Sequence, residues 1–144
     1  MLTLSPASNT THSHNLTVRV YYEDTDAGGI VYHANYLKFF ERARTEWLRE
    51  LGFKQTYFLQ QKVGFVVRKV EMDNFASATL DEALLITSSI VSLKRASLVF
   101  KQQISNQHQT ILCTAMVRVA CVNLSLHKPC AIPQTILGAF KRVS

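Results

Sequence analysis

No apolar run in this chain approaches the ~20 residues that a membrane-spanning helix requires, so a helical membrane protein is excluded. The first residues, Met1-Leu2-Thr3-Leu4-Ser5-Pro6-Ala7-Ser8, lack the basic flank and apolar stretch of a secretory signal, and a cytoplasmic location is expected. Cysteine is scarce, at three residues. Cys113 and Cys121 fall on one predicted strand, about 26 Å apart at the rise of a strand, beyond disulfide reach, and both read as buried apolar side chains. Cys130 lies in a proline-bearing connection with no partner at metal-ligand spacing, so no metal site is expected. Also missing are the Gly-x-Ser-x-Gly elbow, His-Glu-x-x-His and Gly-x-Gly-x-x-Gly, which disfavours serine, metal and nucleotide mechanisms. Charged residues make up only 18% against 47% hydrophobic, a globular balance that fits a single domain with a small core. The net charge of +6 is scattered in pairs without a recognisable nucleic-acid motif, so no nucleic-acid partner is expected.

What is present divides into a tail and one α+β domain. Residues 1–15 are polar, include His12 and His14, and read as a flexible tail; residues 16–144 read as the domain. Leu16, Val18, Val20 and Tyr22 alternate with Thr17, Arg19, Tyr21 and Glu23, predicting a strand over Leu16–Tyr22. From Asn35 to Leu51, Tyr36, Phe39, Phe40, Ala43, Trp47 and Leu51 mark one helix face, with Asn35 as N-cap, Gly52 at C′, and an Arg42–Glu46 pair on the wet side. Strands are predicted over 65–75, 84–93, 97–104 and 110–124, with turns at 93–96 and 105–109, implying a five-stranded antiparallel sheet. Pro133 begins a short last helix through Phe140. Both faces of the last long strand are apolar, yet one long helix covers only one, so a second copy of the chain is expected on the other.

The most informative segment is Tyr22-Glu23-Asp24-Thr25-Asp26-Ala27-Gly28-Gly29-Ile30-Val31-Tyr32-His33-Ala34-Asn35-Tyr36. It sets a carboxylate, Asp26, in a glycine-bearing turn before a helix, where backbone N–H groups are still free to polarise a carbonyl. On these residues the sequence resembles the hotdog-fold acyl-CoA thioesterases of the 4-hydroxybenzoyl-CoA thioesterase type, most closely the branch encoded with the bacterial Tol-Pal system. The resemblance runs from about Val18 to about Phe140. It implies a hotdog fold, a sheet wrapped around one long helix, assembled as dimers and, here, a homotetramer built from dimers.

The resemblance also implies roles. Asp26, the second Asp of Asp-Thr-Asp, matches the catalytic carboxylate, acting as general base for water or as nucleophile. Asp24 is left as a turn-stabilising residue. Backbone amides after Gly28 and Gly29, near Ile30, Val31 and His33, are the expected oxyanion donors. His33 and the Tyr22 hydroxyl are placed in the catalytic pocket, and the first turn of the aromatic stripe is the part expected to line the acyl slot. Lys94 and Arg95, in a turn, are expected to hold coenzyme A phosphates from a neighbouring subunit. No separate cofactor is expected: acyl-CoA is the substrate, with acyl carrier protein as a further partner. Two other readings stay open: a hotdog dehydratase, and a non-catalytic module that binds acyl carrier protein or phospholipid-synthesis enzymes peripherally at the inner membrane.

Overall fold

The computed structural model describes residues 12–144. β1 (His14–Arg19) leads through a 3-10 turn at Tyr22–Asp24 to α1 (Asn35–Glu50) and α2 (Gln55–Gln61). Then come β2 (Val63–Asn74), β3 (Ala83–Leu93), β4 (Ser97–Asn106), β5 (Ile111–Asn123), the two-residue β6 (Lys128–Pro129) and α3 (Gln134–Val143). The sheet order is β1-β3-β4-β5-β2, every pairing is antiparallel, and β6 adds to the end of β5. This is the hotdog arrangement, with the sheet curled around α1.

The period of the sequence explains which side of each strand faces α1. Val18 on β1, Leu84, Ile86 and Ile90 on β3, Leu98, Phe100 and Ile104 on β4, and Cys113, Ala115, Val117 and Val119 on β5 are all buried. They meet Tyr36, Phe39, Phe40, Ala43 and Trp47, the stripe read from the helix period. α1 ends in a Schellman motif: Gly52 at φ +100°, Gly52 N–H bonded to Arg49 O (3.0 Å) and Phe53 N–H to Leu48 O (2.8 Å).

Several expectations are corrected. β1 begins at His14 rather than Leu16, so His14 and Asn15 leave the expected tail, whose residues 1–11 lie outside the described ones. His14 is buried, stacks on Trp47 at 5.8 Å between centroids, and bonds Glu50 through Nε2 (2.8 Å). The strand stops at Arg19, because a 3-10 turn draws Tyr22 out of the ladder. Ala34, not Asn35, is the N-cap of α1. Glu46 pairs with Arg49 (3.3 Å) rather than Arg42, which instead lies over the Phe39 ring at 5.8 Å. The helix α2 carried no readable period and was not expected.

Cys130, expected to be alone, sits with its Sγ 3.5 Å from that of Cys121, because the turn after β5 folds it back. Burial pushes the Cys113 and Cys121 thiols up to about 12 from an ordinary value of 9.0. A folded-state pKa above the unfolded value means that the native protein holds the proton more tightly. The stability this supplies is complete below about pH 9 and falls as the pH rises toward about 12. At pH 8, Cys113 and Cys121 should therefore resist a disulfide reagent such as Ellman's until denaturant is added, while half-buried Cys130 reacts first. The urea midpoint should fall on going from pH 8 to pH 10.5; an unchanged midpoint would contradict the assignment.

Candidate active site

The loop that carries Asp26 is closed upon itself and then nailed to the sheet. Asp26 N–H donates to Ile30 O (2.9 Å) and Gly29 N–H to Asp26 O (3.1 Å), with Gly29 at φ +80° making the reversal that L side chains avoid. Val31 N–H donates to Ala78 O (2.8 Å) and Leu80 N–H to Gly29 O (3.2 Å), which fastens the loop to the segment between β2 and β3. That segment is held in turn by Tyr36 of α1: its buried hydroxyl accepts the Ala78 N–H at 3.0 Å. Burial raises the Tyr36 pKa, and the Ala78 bond partly opposes the rise.

Asp26 itself is exposed. Its Oδ1 accepts the Gly28 N–H at 2.8 Å, and its Oδ2 has no hydrogen-bond partner among the described residues. One oxygen is thus used to orient the group and the other is available for chemistry. Asp24 has the opposite arrangement: Oδ2 accepts the Tyr21 N–H (2.8 Å) and Oδ1 accepts from the Asn35 side-chain amide (2.9 Å), so it brackets the turn against the start of α1. The turn-stabilising role expected of Asp24 matches these contacts.

The expected oxyanion donors narrow sharply. Gly28 and Gly29 N–H are spent on Asp26, Val31 N–H on Ala78 and Tyr32 N–H on Asp24 O (3.3 Å). Val31 is also buried, so it serves the core rather than a ligand. Among the described residues, the N–H groups of Ile30 and His33 have no acceptor, and both residues are exposed. His33 lies against Tyr32, ring centroids 4.7 Å apart. Tyr22 is 82% exposed and stays outside the core, whereas Val20, two residues earlier, is fully buried in it. Tyr36, in the first turn of α1, is buried, and its hydroxyl is bound into the loop support.

Lys94 and Arg95 lie in the β3–β4 turn, exposed as expected. The Asp26 loop adjoins the beginning of β3, where Asp81 N–H bonds Val20 O (2.9 Å). The basic turn follows the far end of that strand, so β3, about 36 Å of chain if fully extended, runs between it and the Asp26 loop within one protomer. Supports that the sequence did not reveal are Ala78, Leu80 and Glu82, whose Oε1 accepts the Thr79 N–H at 2.8 Å. They sit in an irregular connection with no period to betray them.

Residues 20–140 match the family described as the thioesterase-like superfamily. The chain belongs to that superfamily. It is 50% identical over 125 residues to the acyl-CoA thioester hydrolase YbgC of Escherichia coli O157:H7, covering 87% of this chain and 93% of that protein. It is 48% identical over 124 residues to the acyl-CoA thioesterase YbgC of Haemophilus influenzae, covering 85% and 90%. Among solved structures, a probable thioesterase from Bartonella henselae superposes with a TM-score of 0.79 at 38% identity, covering 84% of this chain and 99% of that one. This member of the superfamily is therefore an enzyme of the thioester hydrolase class, and none of its helices among the described residues is long and apolar enough to cross a membrane.

Proposed function

We propose that this chain hydrolyses acyl-CoA thioesters to the free acid and coenzyme A, with Asp26 as the reacting carboxylate. The observation that carries the reading is the divided Asp26 carboxylate: one oxygen fixed by Gly28 N–H, the other without a partner among the described residues, on a loop tied to α1 and to the segment between β2 and β3. In one route, Asp26 takes a proton from water as the oxygen attacks the thioester carbonyl; the tetrahedral intermediate collapses, and the departing thiolate recovers the proton. In the other, Asp26 attacks directly, expels the thiolate and leaves a mixed anhydride that water opens. In both, negative charge grows on the carbonyl oxygen, and the unspent N–H groups of Ile30 and His33 are the donors suited to receive it. His33 and Tyr22 are proposed to border the reacting group.

The active assembly is a homotetramer built from dimers, with Lys94 and Arg95 of a neighbouring copy holding the coenzyme A phosphates. Two observations support it: the basic turn and the Asp26 loop lie at opposite ends of β3, and the edge strand β2 leaves Val66, Val67 and Val70 exposed. Thiol release from a series running from acetyl- to palmitoyl-CoA, with Asp26→Ala alongside, tests the reading. Cleavage without any enoyl product, lost in the variant, is the expected result; no cleavage anywhere in the series would favour a carrier-protein binding module instead. Replacing Lys94 and Arg95 together by alanine is expected to raise KM for acyl-CoA with little change in kcat, and an unchanged KM at physiological salt would remove them.

A further inference from the structure

A cavity of about 360 Å3 lies between the later turns of α1, α2 and the first residues of β2. Small-molecule sites occupy ~300–1,000 Å3, so this one is large enough for a compact ligand. Leu48, Phe58, Val63, Phe65 and Val119 supply apolar wall, and Arg44 brings a guanidinium to it. A smaller hollow of about 40 Å3 shares Arg44, Leu48, Phe65 and Val119 and reaches Phe140.

Arg44 is held in place from behind. Its Nη1 donates to Gln102 Oε1 at 2.9 Å. Gln102 is wholly buried, and its Nε2 donates to Phe40 O (3.0 Å) and Ser88 Oγ (2.9 Å). The amide can face only one way, so its oxygen anchors the guanidinium. That bond uses one of the five N–H groups a guanidinium carries. Among the described residues no carboxylate lies within ion-pair distance of Arg44; Glu41 lines the same cavity but makes no pair with it. Burial pulls the Arg44 pKa down, and the charge of Glu41 partly offsets this. A cation held beside apolar surface without a counter-ion is unfavourable until an anion or acceptor reaches it.

We propose that this cavity binds an aliphatic carboxylate, with its hydrocarbon part against Leu48, Phe58 and Phe65 and its carboxylate on the free donors of Arg44. A single cation, an apolar wall and Glu41 nearby suit a monoanion with a hydrocarbon body better than a phosphate dianion. Two sources share this chemistry: a free fatty acid, and the distal carboxylate of a dicarboxylic acyl group. Binding of the carboxylate does not itself require thioester cleavage; only the choice between the two sources is read through cleavage and so rests on the proposed function.

Trp47, the single tryptophan, follows Arg44 by three residues on α1 and packs edge-on against Phe100, which lines the smaller hollow beside Arg44. Hexanoate and hexanol are titrated against the full-length protein by tryptophan fluorescence and by saturation-transfer NMR. Hexanoate should bind about 10–100-fold more tightly than hexanol, the range expected when a charge-assisted bond is gained. Arg44→Met should abolish that preference while leaving hexanol binding in place, a result that a purely structural arginine would not produce. Because Arg44→Met strands Gln102 Oε1 and could unfold the chain, Leu124→Glu, on the cavity lining with Arg44 intact, serves as the second variant and should weaken hexanoate but not hexanol. A faster cleavage of adipoyl-CoA than of hexanoyl-CoA would identify the distal carboxylate as the source; hexanoate binding without that preference would identify the free acid. Equal binding of hexanoate and hexanol, no binding of either up to millimolar concentration, or a preference that survives Arg44→Met would overturn the proposal.

Discussion

Asp26→Asn is expected to lower kcat for acyl-CoA hydrolysis by ~10²–10⁴, the usual contribution of a positioned acid or base. The substitution is informative because it alters charge and little else. An asparagine oxygen still accepts the Gly28 N–H that Oδ1 now accepts at 2.8 Å, so the turn keeps its closure. The side chain is exposed and supports no core contact, so stability should move by no more than ~0.5 kcal/mol. A large loss of turnover beside an unchanged urea transition would assign the carboxylate to the chemistry. Turnover within threefold of wild type would assign it to the turn and sink the mechanism. Asp24→Asn is the instructive contrast: both Asp24 oxygens are committed, one to the Tyr21 N–H and one to the Asn35 amide, so its effect should appear in stability as well.

Gly29→Val is expected to reduce kcat by ~10²–10³, comparable with losing one oxyanion donor. No atom lies within 4 Å of the position where a Cβ would stand, so steric crowding is not the cause. The cause is the backbone: at φ +80° a β-branched residue is strained by ~1–3 kcal/mol, and the loop relieves this by shifting. The bonds at risk are Gly29 N–H to Asp26 O and Leu80 N–H to Gly29 O, and Ile30 N–H is the next donor along the chain. A movement of a few tenths of an ångström there would leave the core of α1 and the sheet intact while misaligning the donor. Circular dichroism should be unaltered and KM changed less than kcat. Full turnover would mean that the oxyanion donors lie elsewhere.

The long, strongly periodic pieces of the fold were readable for a physical reason: each buries one face, and burial writes its period into the residues. The Tyr36–Trp47 stripe and the alternation of β3, β4 and β5 appear in the structure within a residue or two of where the pattern put them. Legibility failed where hydrogen bonds rather than burial decide the path. Tyr22 alternates with its neighbours like a strand residue, but the Asp24 carboxylate captures the Tyr21 N–H and turns the chain away. His14 looked like a tail residue because a single polar letter does not show that Trp47 and Glu50 await it. The position of Asp26 came through because its motif is local. The fate of each nearby N–H did not, because Ala78 and Leu80 approach from a distant connection.

β2 has a further consequence, for what the protein does before it finds a partner. It is a 12-residue edge strand with exposed Val66 and Val67 at 43% and 46%, the kind of edge on which fibrils grow. Fibril growth usually stacks identical residues in register. Here that would pile Arg68 on Arg68, Lys69 on Lys69, Glu71 on Glu71 and Asp73 on Asp73, all of them exposed. Antiparallel approach instead brings the basic half of the strand opposite the acidic half. The order of charges along one strand thus penalises runaway stacking and favours a pairing that ends at two chains.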